Sequence, residues 1–194
     1  MKTGLLVLVV GPSGAGKDTV LNYAMARLAD DTETVFTRRV ITRPAEASEA
    51  HEPVTEAEFA RRRFALSWRA HGLRYGIPAG IEAELAAGRT VIANVSRGVI
   101  DSARRTYRCL VVEVTAPAGL LAARLAARRR EPETEIAARL ARIAPYEGAD
   151  VTIMNDSTPV AAGDAFLAAL TRWRPCGRKT DAQVSNTSCT RGAG

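Results

Sequence analysis

The chain has 194 residues, of which 25% are charged and only 5% aromatic, with 27 Lys and Arg against 21 Asp and Glu. That length buries one full core, and sparse aromatics with a net charge of +6 argue against a nucleic-acid surface, which needs a denser basic face or stacking rings. Three cysteines without metal-ligand spacing exclude a disulfide framework and fit a reducing compartment. With no run of about 18 apolar residues to cross a membrane, a cytoplasmic protein with small-molecule partners, no nucleic acid and no membrane is expected.

The apolar run Leu5-Leu-Val-Leu-Val-Val10 reads as a buried parallel strand and passes directly into Gly11-Pro12-Ser13-Gly14-Ala15-Gly16-Lys17-Asp18-Thr19. The run is too short for a signal peptide and is followed by no small-residue cleavage site. Three glycines let the backbone curl until its N–H groups converge on a nucleotide's phosphates. The following helix adds the positive end of its dipole, and Lys17 adds a mobile point charge. The usual loop places Ser or Thr directly after the lysine as a magnesium ligand. Here Asp18 takes that place and the hydroxyl comes one residue later, at Thr19, so both are candidate Mg²⁺ ligands.

Helical spacing then covers Asp18 to Leu28, and Glu33 to Thr42 reads as one strand closed by Arg43-Pro44. Residues 45–53 read as an exposed acidic loop. Thr55-Glu-Ala-Glu58 forms a capping box for a short helix through Arg63, and Phe64 to Tyr75 reads as short strands turning at His71-Gly72. Pro78 fits the first turn of a helix running to Ala87 and stopped by Gly88. Thr90 to Val95 and Cys109 to Val114 are further strands, with a helix from Val99 to Thr106 between them. Helix follows over Ala118 to Arg130 and, beyond Pro132, over Glu133 to Ile143. Val151 to Met154 is a last strand and Val160 to Trp173 a closing helix. Such alternation predicts a three-layer α/β/α sandwich around a parallel sheet, with its ligand at the carboxyl ends of the strands. Residues 174–194 lack periodicity, carry three of the six net positive charges, and are expected to form a disordered tail after a single domain over residues 1–173.

Two groups of cations accompany the loop. Arg39 and Arg43 flank a strand-like piece and have the chemistry to clamp a phosphate. Arg124, Arg128, Arg129, Arg130, Arg139 and Arg142 crowd around Pro132. So many cations without matched carboxylates suit a lid that closes on phosphates.

The glycine loop, Arg39-Val-Ile-Thr-Arg43-Pro44, Tyr75-Gly-Ile-Pro78, Arg124-Leu-Ala-Ala-Arg128, Arg139-Leu and Val151-Thr-Ile-Met-Asn155-Asp156 resemble, in order, the motifs of the guanylate kinases, over nearly the whole chain to Trp173. The resemblance implies a P-loop kinase with an acceptor subdomain at about 34–88 and a helical lid at about 124–142. It implies that Gly11 through Thr19, Arg124 and Asn155 bind ATP, with Asn155 beside the adenine. Catalysis would fall to Lys17 with the lid arginines Arg128 and Arg139, and an acceptor phosphate would be held by Arg43 and Tyr75.

The departures concern the acceptor. Guanylate kinases read guanine with a carboxylate just before a tryptophan and another in an Asp-Ile-Asp segment. Here those stretches are Ala65-Leu66-Ser67-Trp68 and Asn94-Val95-Ser96-Arg97-Gly98, with no acid in either. Without those acceptors a guanine site loses its basis. Gly-Lys-Asp in the loop, the run from Trp68 to Pro78 and Asn94 to Gly98 resemble instead the ribose 1,5-bisphosphate phosphokinases of phosphonate degradation. That resemblance implies transfer from ATP, with Mg²⁺, to ribose 1,5-bisphosphate, giving 5-phosphoribosyl 1-diphosphate, with Arg39, Ser96 and Arg97 added to the acceptor site. His71, alone in a turn, reads as structural before it reads as a sugar contact. A nucleoside monophosphate kinase remains the alternative. A guanylate-kinase-like binding module without catalysis is a second, disfavoured by the intact loop and its lysine.

Overall fold

The computed structural model describes residues 4–44, 51–127 and 146–174. In chain order the elements are β1 (Leu5–Val10), α1 (Lys17–Arg27), β2 (Thr34–Phe36), β3 (Arg39–Ile41), β4 (His51–Pro53), α2 (Glu56–Arg61), β5 (Phe64–Ala70), β6 (Leu73–Pro78), α3 (Ile81–Ala86), β7 (Thr90–Asn94), α4 (Ile100–Thr106), β8 (Cys109–Thr115), α5 (Ala118–Ala127), β9 (Val151–Met154) and α6 (Pro159–Trp173). A short 3-10 turn, Arg97–Val99, leads into α4.

Five strands form a parallel sheet in the order β2-β7-β1-β8-β9. β1 lies in the middle, and all six of its residues are fully buried. Alternate side chains of a strand point to opposite faces, so Leu5, Val7 and Val9 pack with Val20 and Ala24 of α1 and Phe166 and Leu170 of α6, while Leu6, Leu8 and Val10 pack with Ile81, Leu85, Ile100 and Ala103 of α3 and α4. Each such side chain is worth about 1.5–3 kcal/mol of apolar burial, which is why an uninterrupted Leu/Val run was required here. The resulting sandwich leaves the carboxyl end of β1 open for the glycine loop. Tyr107, at the end of α4, ties this layer together by donating its hydroxyl to Glu82 Oε1 at 2.8 Å. Burial first, then that bond and the Glu82 charge, push the Tyr107 pKa up to about 12.

A second sheet, in the order β4-β3-β6-β5, is inserted between β2 and β7. Three expectations change here. The extended stretch over residues 33–42 is two strands in different sheets: Thr37 N still donates to Ile92 O of β7 at 3.0 Å, and two residues later Arg39 has begun pairing in the second sheet. Part of the expected loop over residues 45–53 is strand. His51–Pro53 pairs parallel to β3 with His51 buried, its Nε2–H donating to Arg43 O at 3.4 Å, while residues 45–50 lie outside the described ones. Pro53 is tolerated because β4 is an edge strand. Pro78 closes β6 and does not open a helix; α3 begins at Ile81. The β5–β6 hairpin turns at His71 and Gly72, both at positive φ (51° and 73°), the twist a two-residue hairpin needs. The capping box at Thr55 forms as read, with Glu58 N donating to Thr55 Oγ1 and Thr55 N to Glu58 Oε2.

At the far end, Arg174 caps α6 and its guanidinium donates to Asp31 Oδ2 at 2.5 Å and to Thr34 Oγ1. The chain expected to leave the body at residue 174 is therefore still attached to it there. Residues 175–194, the remainder of the expected tail, lie outside the described residues, as do 128–145.

Candidate active site

The loop between β1 and α1 owes its shape to residues that approach it from two other strand ends. Gly11 sits at φ 140°, and a Cβ there would collide with Val114 O of β8. Gly16 sits at φ 85° as the N-cap of α1, and a Cβ there would overlap Asn155 Nδ2. Asn155 follows β9, is 5% exposed, and donates Nδ2–H to Ala15 O at 2.8 Å while its own N–H bonds Thr115 O at 2.7 Å. Expected beside the adenine, Asn155 has its amide nitrogen committed to the loop backbone. Lys17 Nζ donates to Gly11 O at 2.8 Å and Pro12 O at 2.9 Å, holding the ammonium over the loop's mouth. Arg124 of α5 reaches in from the other side, its guanidinium 3.5 Å from Gly14 O.

A cavity of about 210 Å³ opens in front of the loop, lined by Ser13, Gly14, Gly16, Lys17, Asp18, Thr19, Arg39 and Asn94. The sequence-derived site converges here on its donor side. Arg39, from the start of β3, is the acceptor-side residue that joins it. A second hollow of about 310 Å³ shares Asp18, Arg39 and Asn94 with the first and adds Asn22, Thr37 and Arg38. Among the described residues, no group of three or more His, Cys, Asp or Glu side chains could hold a metal on protein ligands alone. The donor set is instead one carboxylate and one hydroxyl, Asp18 and Thr19, next to an amide, Asn94. That fits a magnesium ion completed by nucleotide phosphates and water.

The other acceptor-side residues lie elsewhere. Arg43 borders a separate depression of about 330 Å³ with Thr42, Pro53, Val54 and Glu58. Tyr75 stacks on Trp68, ring centroids 5.4 Å apart and planes nearly parallel at 7°, and pairs with Ile41 across the sheet. Ser96 Oγ accepts from Gly98 N at 3.4 Å and caps the short turn. Arg97 pairs with Glu113 of β8, which is fully buried and also accepts the Tyr146 N–H at 3.1 Å, while the guanidinium lies 5.7 Å from the Tyr146 ring centre. Arg128 and Arg139 fall outside the described residues.

The chain is 59% identical over 177 residues to ribose 1,5-bisphosphate phosphokinase PhnN of Acidiphilium cryptum, an alignment covering 90% of this chain and 98% of that one. The chain belongs to the ribose 1,5-bisphosphate phosphokinase family. A relative of the same name in Rhodopseudomonas palustris is 51% identical, with 89% and 91% of the two chains covered. No protein-family model matches. Among solved structures, guanylate kinase from Anaplasma phagocytophilum superposes with a TM-score of 0.66 at 18% identity, covering 90% of this chain and 88% of that one, which shows that the two share a fold.

Within this member of the ribose 1,5-bisphosphate phosphokinase family, two residues of consequence were not singled out in sequence. Asn94 ends β7 and lies 7% exposed in the cavity, its Nδ2–H donating to Asp18 Oδ1 at 3.1 Å. Glu113 is buried in β8 as the anchor of Arg97. Both had a signal, a lone polar side chain within or closing an apolar strand run. Such a residue in a buried strand has to be partnered, and the partner marks a join between elements.

Proposed function

We propose that this protein transfers the γ-phosphoryl group of ATP, with Mg²⁺, to the 1-phosphate of ribose 1,5-bisphosphate, giving 5-phosphoribosyl 1-diphosphate and ADP, within phosphonate degradation. An oxygen of the acceptor phosphate attacks the γ-phosphorus, the bond from that phosphorus to the β–γ bridging oxygen breaks, and ADP carries away the electron pair. The acceptor is already a phosphate anion, so no general base is needed, in keeping with a cavity that no histidine lines among the described residues. Catalysis is then positioning and charge stabilisation. The loop N–H groups and Lys17 hold the β- and γ-phosphates, and Arg39 stands where the acceptor phosphate meets the γ-phosphate. Bound Mg²⁺ would neutralise charge on the donor phosphates. Arg43 and Tyr75 bind the acceptor from the second sheet, Ser96 and Arg97 shape the segment facing it, and Arg128 and Arg139 belong to the lid.

The observation that carries the acceptor reading is the fate of the positions that would read a base. Leu66 is buried in the apolar cluster under the second sheet, Ser67 is turned outward and exposed, and Ser96 closes a turn. Guanine would leave its N–H donors unpaired at about 1–3 kcal/mol each. The test is kcat/KM for ribose 1,5-bisphosphate and for GMP under the same ATP and Mg²⁺, with products identified by mass. Ribose 1,5-bisphosphate is expected to exceed GMP by at least about 100-fold, the equivalent of about 2.7 kcal/mol. A preference for GMP would overturn the reading in favour of a guanylate kinase.

A further inference from the structure

The hollow of about 310 Å³ that shares Asp18, Arg39 and Asn94 with the phosphate cavity lies between α1 and the chain leaving β2. Its α1 wall is one helical face, because Asp18, Leu21, Asn22 and Met25 recur at helical spacing. The facing wall is Phe36 together with Thr37 and Arg38, the two residues that cross from one sheet to the other. Leu21, Met25 and Phe36, with Ile92 of β7, make the lining partly apolar, and a few polar side chains are set into it. That is the composition of a site for a small ligand. Arg38 is exposed, and among the described residues its guanidinium makes no hydrogen bond or ion pair.

A bisphosphate acceptor has two anionic ends, one that reacts and one that does not. The reacting phosphate belongs beside Arg39, which lines both spaces. From there the sugar needs an adjoining space with some apolar wall for its C–H groups and a cation at the far end. The hollow supplies both, whereas the depression bordered by Arg43 shares no lining residue with the phosphate cavity. Two arginines against the single carboxylate of Asp18 also leave the lining of the hollow net positive. We propose that this hollow takes the ribose of the acceptor and its non-reacting 5-phosphate, with Arg38 binding that phosphate and Asn22 and Thr37 facing the sugar hydroxyls. Arg38 and Arg39 are consecutive, so one short link between the sheets presents a guanidinium to each phosphate, and each guanidinium can donate two parallel N–H bonds. The α1 face thereby joins the second sheet in selecting the acceptor, and what it selects is a second phosphate.

This inference rests on ribose 1,5-bisphosphate being the acceptor, so its turnover by the wild-type protein with ATP and Mg²⁺ is measured first. No turnover would overturn the acceptor reading and this inference with it. Given turnover, Arg38→Ala is expected to raise KM for ribose 1,5-bisphosphate by about tenfold or more while kcat stays within about threefold. The inhibition constant of ribose 1-phosphate, which lacks the 5-phosphate, is expected to stay within about threefold in the same variant, because the lost charge faces a group this ligand does not carry. Asn22→Trp, which fills the hollow from an exposed position on α1, is expected to raise both constants, with circular dichroism melts confirming the fold. An unchanged KM for ribose 1,5-bisphosphate in Arg38→Ala would overturn the proposal while leaving the acceptor reading in place. Equal losses for the two ligands would do the same, since Arg38 would then not be reading the 5-phosphate.

Discussion

Gly16→Ala puts the support of the phosphate loop to a quantitative test. Gly16 lies at φ 85°, where a side chain costs about 1–2 kcal/mol. Its new Cβ would also occupy the position of Asn155 Nδ2, which now donates to Ala15 O at 2.8 Å in a side chain only 5% exposed. Driving Asn155 away leaves a buried donor and a loop carbonyl unpaired, at about 1–3 kcal/mol. The total is about 2–5 kcal/mol, and for a chain of this size each kcal/mol moves the melting temperature by about 2–4 °C, so a fall of roughly 4–20 °C is expected. Thermal unfolding by circular dichroism measures it, and titration calorimetry with a non-hydrolysable ATP analogue reads the accompanying loss of affinity. The clash term is isolated by repeating Gly16→Ala in an Asn155→Ala background, where only the backbone cost of about 1–2 kcal/mol should remain. Equal costs in the two backgrounds, or a wild-type melting temperature for Gly16→Ala, would refute the account of Asn155 as the loop's buttress.

Lys17→Ala should lower kcat by about 100-fold or more while the melting temperature moves by no more than about 3 °C, because the ammonium serves phosphate and its bonds to Gly11 O and Pro12 O stay within the loop. Arg97→Ala should cost about 3–5 kcal/mol in denaturant unfolding, since it strands the fully buried Glu113, and Arg97→Ala/Glu113→Gln should recover part of that loss. A raised acceptor KM with unchanged stability would instead make Arg97 a direct acceptor contact. Tyr107 is an acid whose folded pKa, about 12, lies above its unfolded value of 10.0, so it contributes stability that is complete below pH 10 and lost as pH rises through about 12. Tyr107→Phe should accordingly be less stable than wild type at neutral pH, with the gap closing across that window in melts taken at stepped pH. A gap that stays constant to pH 12 would show that folding does not raise the Tyr107 pKa.

What sequence makes legible is what local pattern determines. Leu5 to Val10 cannot be anything but a buried strand, and three glycines before a lysine cannot be followed by much other than a helix whose N-terminus faces the turn. The Thr55 capping box and the His71-Gly72 turn are likewise short-range, and both stand as read. The sheet exchange between Phe36 and Arg39 is not local: both halves are extended, and only pairing with β7 on one side and with β4 and β6 on the other separates them. β4 has one buried side chain, His51, and no apolar alternation, so nothing within His-Glu-Pro announces a strand. Pro78 satisfies the first turn of a helix and the end of an edge pairing equally well, and the partner strand β5 decides. In the site, residue type revealed the loop and the arginines. Whether Arg39 or Arg43 reaches the loop cavity depended on how the second sheet sits, and the bond from Asn94 to Asp18 exists only once β7 lies beside β1.

The route of the chain between β2 and β7 bears on how such enzymes change their substrates. β2 and β7 pair with each other directly, Thr34 beside Thr90 and Phe36 beside Ile92, so the parallel sheet closes without any contribution from the strands threaded between them. The donor half is thus a finished scaffold, and the second sheet is an excursion that leaves and rejoins it. Substitutions such as Leu66 and Ser67 are confined to the excursion and leave the register of the scaffold untouched. A change of side chain on the excursion can therefore alter what meets the phosphate loop without altering how the scaffold's strands pair.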